Sequence, residues 1–163
     1  MSEYSLPQPY RHPLFYSEKD QTAVRQSDFE PYFIEDIIAR AEKGAPWEEI
    51  EKWIPVIIGE WERLADEMRP LFEDRPKDTH DPMVKGLSLF FTLLFWTNEK
   101  YVNVYDWESE LDHLEVKIVN PKERIHFVLK RPAVYFSFIQ LDEMMTEMHK
   151  MAAKKVAMKK KSR

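Results

Sequence analysis

The sequence predicts an all-α fold, a single-domain bundle of five to seven helices with an extended N-terminal arm. Three observations predict it. Between Ile50 and Leu71 the apolar residues Ile50, Ile54, Ile57, Trp61, Leu64, Met68 and Leu71 recur at alternating steps of four and three, which is one face of a helix. The stretch Leu87 to Trp96 is apolar nearly all round, as a central buried helix must be. The chain holds only 3 Gly, too few for a fold built on tight hairpins or for phosphate-cradling loops.

The elements follow in order. Residues 1–26 are punctuated by Pro7, Pro9 and Pro13 and read as an extended arm, with Leu14, Phe15 and Tyr16 apolar enough to dock on the body. Ser27 or Asp28 can cap a first helix running to Lys43, with Pro31 in its first turn and Gly44 at its end. Pro46 opens the striped helix, and Pro55 inside it should kink or divide it. Asp74 to Pro82 reads as a loop, followed by the central helix from Pro82 to about Tyr101. Asp106 can cap a short helix, while residues 115–119 are open between helical and extended. Asn120, Pro121 and Glu123 have the spacing of a capping box, and Lys130, Arg131 and Pro132 mark that helix's end. From Val134 the stripe Phe138, Leu141, Met145, Met148 and Ala152 predicts a last helix to Lys155 or beyond. The body is thus residues 27–149, and residues 150–163 are its basic C-terminal helix end or tail.

Charge narrows the function. The formal total is −5, but Lys150 to Arg163 hold seven basic residues and no acid. Without those seven, 17 of the 24 basic residues face all 29 acids, so the body stands near −12. An acidic body is a poor general surface for nucleic acid, whose phosphates need clustered cations. With no Cys, disulfides and thiolate zinc sites are excluded. The N-terminus lacks a signal-peptide layout, and the longest apolar stretch is shorter than the ~20 residues that span a bilayer. A cytoplasmic protein without a transmembrane segment is expected.

Each chemical constellation has a simpler reading. Glu110/His113 and Glu123/His126 are two Glu-x-x-His units, a pattern that helical di-iron proteins use with two further carboxylates. Only 13 residues and an Asn-Pro break separate them, whereas facing ligands come from long separate helices, so no metal site and no cofactor are expected. Asp78, His80 and Asp81 read as a solvated turn, and His12 as packed or exposed. Residues 120–144 have a helix-break-helix outline. Its second helix begins Ala133-Val134-Tyr135-Phe136-Ser137-Phe138-Ile139, which seeks a core rather than base edges. Lys122, Arg124, Lys130 and Arg131 can still meet an anionic partner, as can Lys154, Lys155, Lys159, Lys160 and Lys161 of the tail. The simpler reading of the tail is a frayed, solvated helix end. Met144, Met145, Met148 and Met151 beside it read as core first and partner groove second, and Trp47 and Trp53 likewise.

The strings NPKERIHFVLKRP and YFSFIQLDEM, the Trp-rich PWEEIEKWIPVIIGEW and the run FFTLLFW together resemble the YpoC-like family, small helical proteins of Bacillus-type bacteria. The similarity covers about Phe29 to Lys150. It implies a cytoplasmic bacterial protein without an established activity, and transfers no site residues. It also implies genes near those for replication initiation, base-excision repair and cell-wall synthesis, an association and not a mechanism. The expectation is a non-enzymatic protein-interaction module with a protein partner. The alternatives are an accessory nucleic-acid binder using the basic tail, with a link to replication or repair, and more remotely a helical metalloprotein.

Overall fold

The computed structural model describes residues 2–162, so Met1 and Arg163, the outermost residues of the arm and the tail, lie outside the described residues. Among the described residues there are seven α-helices and one two-stranded antiparallel sheet, β1 (Glu3–Ser5) with β2 (Thr22–Val24), in the register Tyr4 opposite Ala23. The helices are α1 (Ile34–Ala41), α2 (Ile50–Met68), α3 (Leu71–Asp74), α4 (His80–Thr97), α5 (Trp107–Leu111), α6 (Pro121–Lys130) and α7 (Tyr135–Lys161). The predominantly all-α fold is as the sequence predicts.

The central element is α4. Every residue from Met83 to Thr97 is buried. Its hydroxyls are satisfied within the helix: Ser88 donates to the Lys85 carbonyl, Thr92 to Ser88 and Thr97 to Leu93. Helices α2 and α7 pack on α4 and on each other, α6 packs on α7, and α5 on α6. Gly86 is what lets α2, α4 and α7 close up. A Cβ there would stand 2.4 Å from Trp61 Cζ3 and 3.1 Å from Leu141 Cδ2. Trp61 is held in this notch by its ring nitrogen, which donates to Asp142 Oδ1 at 2.9 Å.

The arm is more folded than an extended segment. Its two strands close a loop that carries Leu6, Tyr10, Phe15 and Tyr16 into the core. Phe15 meets Phe33 edge-on at 4.8 Å between ring centres and reaches Phe91 of α4. Of the expected docking residues, Phe15 and Tyr16 are buried and Leu14 packs partly exposed.

The start of α1 differs from the sequence expectation. Neither Ser27 nor Asp28 caps a helix. The chain turns first, with Phe29 and Phe33 left-handed at φ 59° and 62°, and the helix begins only at Ile34. Both rings are buried, Phe29 against Trp53. Tertiary packing of two phenyl rings therefore outweighs the capping signal, against a cost of about 1 kcal/mol or more per left-handed residue. The end of α1 is a Schellman turn in which Gly44 N–H meets the Ala39 carbonyl at 2.8 Å and Lys43 N–H the Arg40 carbonyl at 3.3 Å. The left-handed residue is Lys43, at φ 59°, and not Gly44.

Other boundaries also move. Pro55 lies inside α2 without dividing it. Its missing N–H frees the Glu51 carbonyl, and both residues are on the exposed face, where water can serve. The expected loop after Asp74 is instead a 3-10 turn over Pro76–Thr79 that runs into α4 at His80. Asn120 precedes α6 but is left-handed, at φ 49°, and forms no side-chain cap, so the capping box is not made. Glu147 of α7 takes over: it accepts Val119 N–H at 3.0 Å and pairs with Arg124 at 2.6 Å. Residues 115–119 are neither helix nor strand. Trp47 and Trp53 are half-buried, on Tyr101 and between Phe29 and Trp96 respectively.

One carboxylate joins four segments. Asp36 of α1 is fully buried and accepts from Tyr10 Oη at 2.5 Å, Trp96 Nε1 at 2.7 Å and Val102 N–H at 3.1 Å. Arg40, one turn on, donates to Tyr10 Oη at 3.0 Å and to the Val102 carbonyl at 2.8 Å. Burial pushes the Asp36 pKa above the usual carboxylate range, against the pull of the Tyr10 and Trp96 donors and of Arg40.

Asp36→Asn places an amide where three donors converge and should lower unfolding free energy by about 3 kcal/mol, read by denaturant titration. A loss under about 1 kcal/mol would show the hub is dispensable. Gly86→Ala should destabilise by about 1–3 kcal/mol or shift α2, through the clash with Trp61. Lys43→Gly, at an exposed left-handed position, should stabilise by about 0.5–1 kcal/mol, whereas Gly44→Ala should have a smaller effect, as its nearest contact would be 3.7 Å away.

Candidate functional site

The C-terminal basic segment is not frayed. Helix α7 runs unbroken to Lys161, and three lysines tie it to the body. Lys155 donates to the Thr97 carbonyl at the C-terminus of α4, a placement the helix dipole favours. Lys159 pairs with Glu99, whose pKa is lowered by that hydrogen bond, and Lys160 pairs with Glu51 of α2.

The residues just past α4 organise this end of the molecule. Glu99 takes the left-handed position of a second Schellman turn, at φ 56°, with Lys100 N–H on the Phe95 carbonyl at 3.0 Å. Asn98 holds the 115–116 segment on both edges. Its Oδ1 accepts Glu115 N–H at 3.1 Å and Val116 N–H at 2.8 Å, and its Nδ2 donates to the Val116 carbonyl at 2.7 Å. Thr97, Asn98 and Glu99 therefore fix both the C-terminal end of α7 and the segment beside it.

Between those two lies an open groove of about 710 Å³. Its apolar lining is Val116, Met151 and Met158, and its charged lining is Lys154, Lys155, Lys159 and Glu115. Met151, Lys154, Lys155 and Met158 are spaced i, i+3, i+4, i+7 and share one helix face. Met158 is 58% exposed, whereas Met144, Met145 and Met148 are core. Of the four methionines expected to cluster, only Met151 reaches the groove.

The other candidate cations divide. Lys122 pairs with Asp112 at 2.7 Å, and Arg124 with Glu147. Burial raises the Glu147 pKa, but Val119 N–H and Arg124 outweigh it and the net direction is down. Lys130, Arg131, Lys154 and Lys161 have no ion pair among the described residues, and all four are exposed. Lys130 and Arg131 precede α7, while Lys154 and Lys161 stand roughly 30–40 Å further along its axis at 1.5 Å per residue. They do not form one basic face.

The two Glu-x-x-His units are not brought together. Glu110 accepts from Asn103 Nδ2 at 2.9 Å, while His113, Glu123 and His126 are exposed on α6 or just past α5. Among the described residues no three His, Asp or Glu side chains converge as a metal would need. His80 lies 3.1 Å from Asp81 in the exposed first turn of α4. His12 accepts Leu14 N–H at 3.1 Å, and burial lowers its pKa, so it serves a turn as a neutral ring.

Sequence reasoning missed two features. Tyr135 and Phe136, taken as core-seeking, are 52% and 71% exposed. Both fall off the stripe that Phe138 and Leu141 define, a signal already present in the spacing. Lys85, the one charged residue in the buried part of α4, pairs with Glu30 at 2.6 Å and Glu60 at 3.0 Å. The Lys85 hydrogen bond lowers the Glu30 pKa; for Glu60 burial pushes up, and Arg63 and Lys85 bring it down. This cluster is charge-satisfied from within.

Among the described residues no helix is long and apolar enough to cross a membrane. No solved structure matches the chain. A relative from Bacillus subtilis (strain 168), described as "Uncharacterized protein YpoC", is 32% identical over 117 residues, covering 71% of each chain. The family model described as "YpoC-like protein" matches residues 51–160, a span that holds all but the first residue of α2, nearly all of α7 and the groove residues from Glu115 to Lys159. With that span and that identity, the chain belongs to the YpoC-like family.

Proposed function

We propose that this chain is a non-enzymatic interaction module of the bacterial cytoplasm that docks a protein partner. The observation that carries this reading is the groove at the end of α7, with exposed Met158 beside lysines that the body holds in place. Methionine adapts its thioether chain to differently shaped apolar partners. A helix already fixed by Lys155, Lys159 and Lys160 loses little freedom on binding, so less of the contact energy is spent on ordering.

A nucleic-acid role fits less well. The candidate cations do not form one basic face: Lys122 and Arg124 are ion-paired within the chain, and Lys130 and Arg131 stand at the opposite end of α7 from the lysines of the groove. Groove lining that is thioether and aliphatic offers bases no aromatic platform.

The test is affinity purification of the tagged full chain from its own cells at low salt. A stoichiometric protein partner is expected, and it should be lost from the Lys154→Glu/Met158→Gln double variant while the melting temperature is unchanged. Absence of any stoichiometric partner from the parent chain would overturn the interaction reading.

A further inference from the structure

We infer that the groove's occupant is an acidic amphipathic helix of a partner protein, a proposal that rests on the interaction reading above. Along α7 the groove sets Lys154 and Lys155 between Met151 and Met158, with Val116 on the facing wall. A helix whose apolar residues meet the two methionines and Val116, and whose carboxylates stand beside that stripe within reach of the lysines, matches this lining.

The lysines retain the charge for this. Lys155 is held by a neutral carbonyl and makes no ion pair of its own, although the nearby Glu99 feels its charge, and two of its N–H donors stay free. Lys154 has no ion pair among the described residues. Lys159 is paired with Glu99, with both side chains about half exposed, and a pair of that kind is worth about 0–1 kcal/mol, so an incoming carboxylate can compete. Glu115 on the rim is the one acid, a position where the partner helix can place a cation. The body near −12 works to the same end. An acidic segment is repelled by most of the surface and attracted to this end of the molecule, which sets both its location and its direction of approach.

A nucleic acid would want cations without the apolar strip, and a membrane surface would want a broad apolar face. On α7 the apolar face beyond Met151 is turned to the core at Ala152 and half-buried at Val156; Met158 is the one large exposed apolar side chain of the last turns, and the exposed Ala153 and Ala157 add little apolar area.

The experiment uses the full chain with methyl-labelled methionine and four probes: a designed ~18-residue peptide with a Leu stripe and Glu flanks, the same stripe with Lys flanks, a 20-nucleotide oligothymidylate, and phosphatidylglycerol vesicles. The Glu-flanked peptide should shift the Met151 and Met158 methyl signals and leave those of Met83 and Met145 in place. Lys154→Glu should weaken this binding about tenfold, and Met158→Gln by a similar factor, whereas Lys130→Glu, on a cation remote from the groove, should not. Lys154 makes no contact that the fold depends on, so its substitution leaves stability unchanged. The proposal is overturned by equal binding of the Lys-flanked peptide, by oligonucleotide or vesicles shifting the same methyls while the Glu-flanked peptide does not, or by no shift from that peptide at millimolar concentration. If the peptide fails while a stoichiometric cellular partner still co-purifies, the interaction reading stands and the acidic-helix occupant falls.

Discussion

The fold depends on a single buried carboxylate. Transferring an ionised carboxylate into a protein interior costs several kcal/mol, and nothing offsets that unless donors fill its lone pairs. Asp36 gathers a phenol from the arm, an indole from α4 and a backbone amide from the segment after α4, and Arg40 closes the ring from α1 itself. The arm and the segment after α4 are short or irregular and could not fix their own positions. Pro9, beside Tyr10, adds a carbonyl that accepts from Val104 at 2.8 Å and Tyr105 at 3.1 Å, so the arm and the post-α4 segment are tied twice. The chain thereby acquires a second layer on a bundle that would otherwise expose the Trp96 end of its most apolar helix.

Position is then passed from α4 to α7. At the Gly86 notch Trp61 fits between helices, and its indole donates to Asp142, fixing the axial register of α7 against α2. From there α7 extends about 40 Å in all, further than its buried stripe requires. The last three turns stay helical because an acidic body offers anchors to a basic end: Glu99, Glu51 and the terminal carbonyls of α4. Individually each exposed pair contributes little. Two such pairs and the Lys155 hydrogen bond together hold it against fraying. The uneven charge of the sequence thus has a structural use inside the molecule before any partner is considered.

What could be read from the sequence was what depends on periodicity. The stripes of α2 and α7, the all-round apolar α4 and the start of α6 at Pro121 follow from local pattern and needed no tertiary knowledge. What could not be read was set by contacts distant in sequence. The delayed start of α1 comes from Phe29 and Phe33 reaching the core through left-handed turns, and the unused capping box at Asn120 from Glu147, more than twenty residues away. The candidate site was half legible. Its lysines and Met151 stood out as a basic, Met-rich end, but the neighbouring 115–116 segment did not. Asn98, two residues after the last apolar residue of α4, is a recognisable helix-end residue. Taking the helix on to Tyr101 hid its role as the clasp of that segment.

The groove is best understood as a consequence of where α4 stops. A helix ending on Thr97 leaves free carbonyls, and a lysine of α7 takes one of them. Asn98, free of helical geometry, turns its amide outward to catch the 115–116 backbone, and Glu99 in the left-handed turn aims its carboxylate at Lys159. Three consecutive residues hold the two sides of the same space, Thr97 and Glu99 on α7 and Asn98 on the 115–116 segment. Had α4 run one turn longer, Val116 and α7 would have been held by different parts of the helix and no shared cleft would form between them. The residues that shape this groove therefore line neither its apolar nor its basic side. They lie behind both, at the last turn of the buried helix.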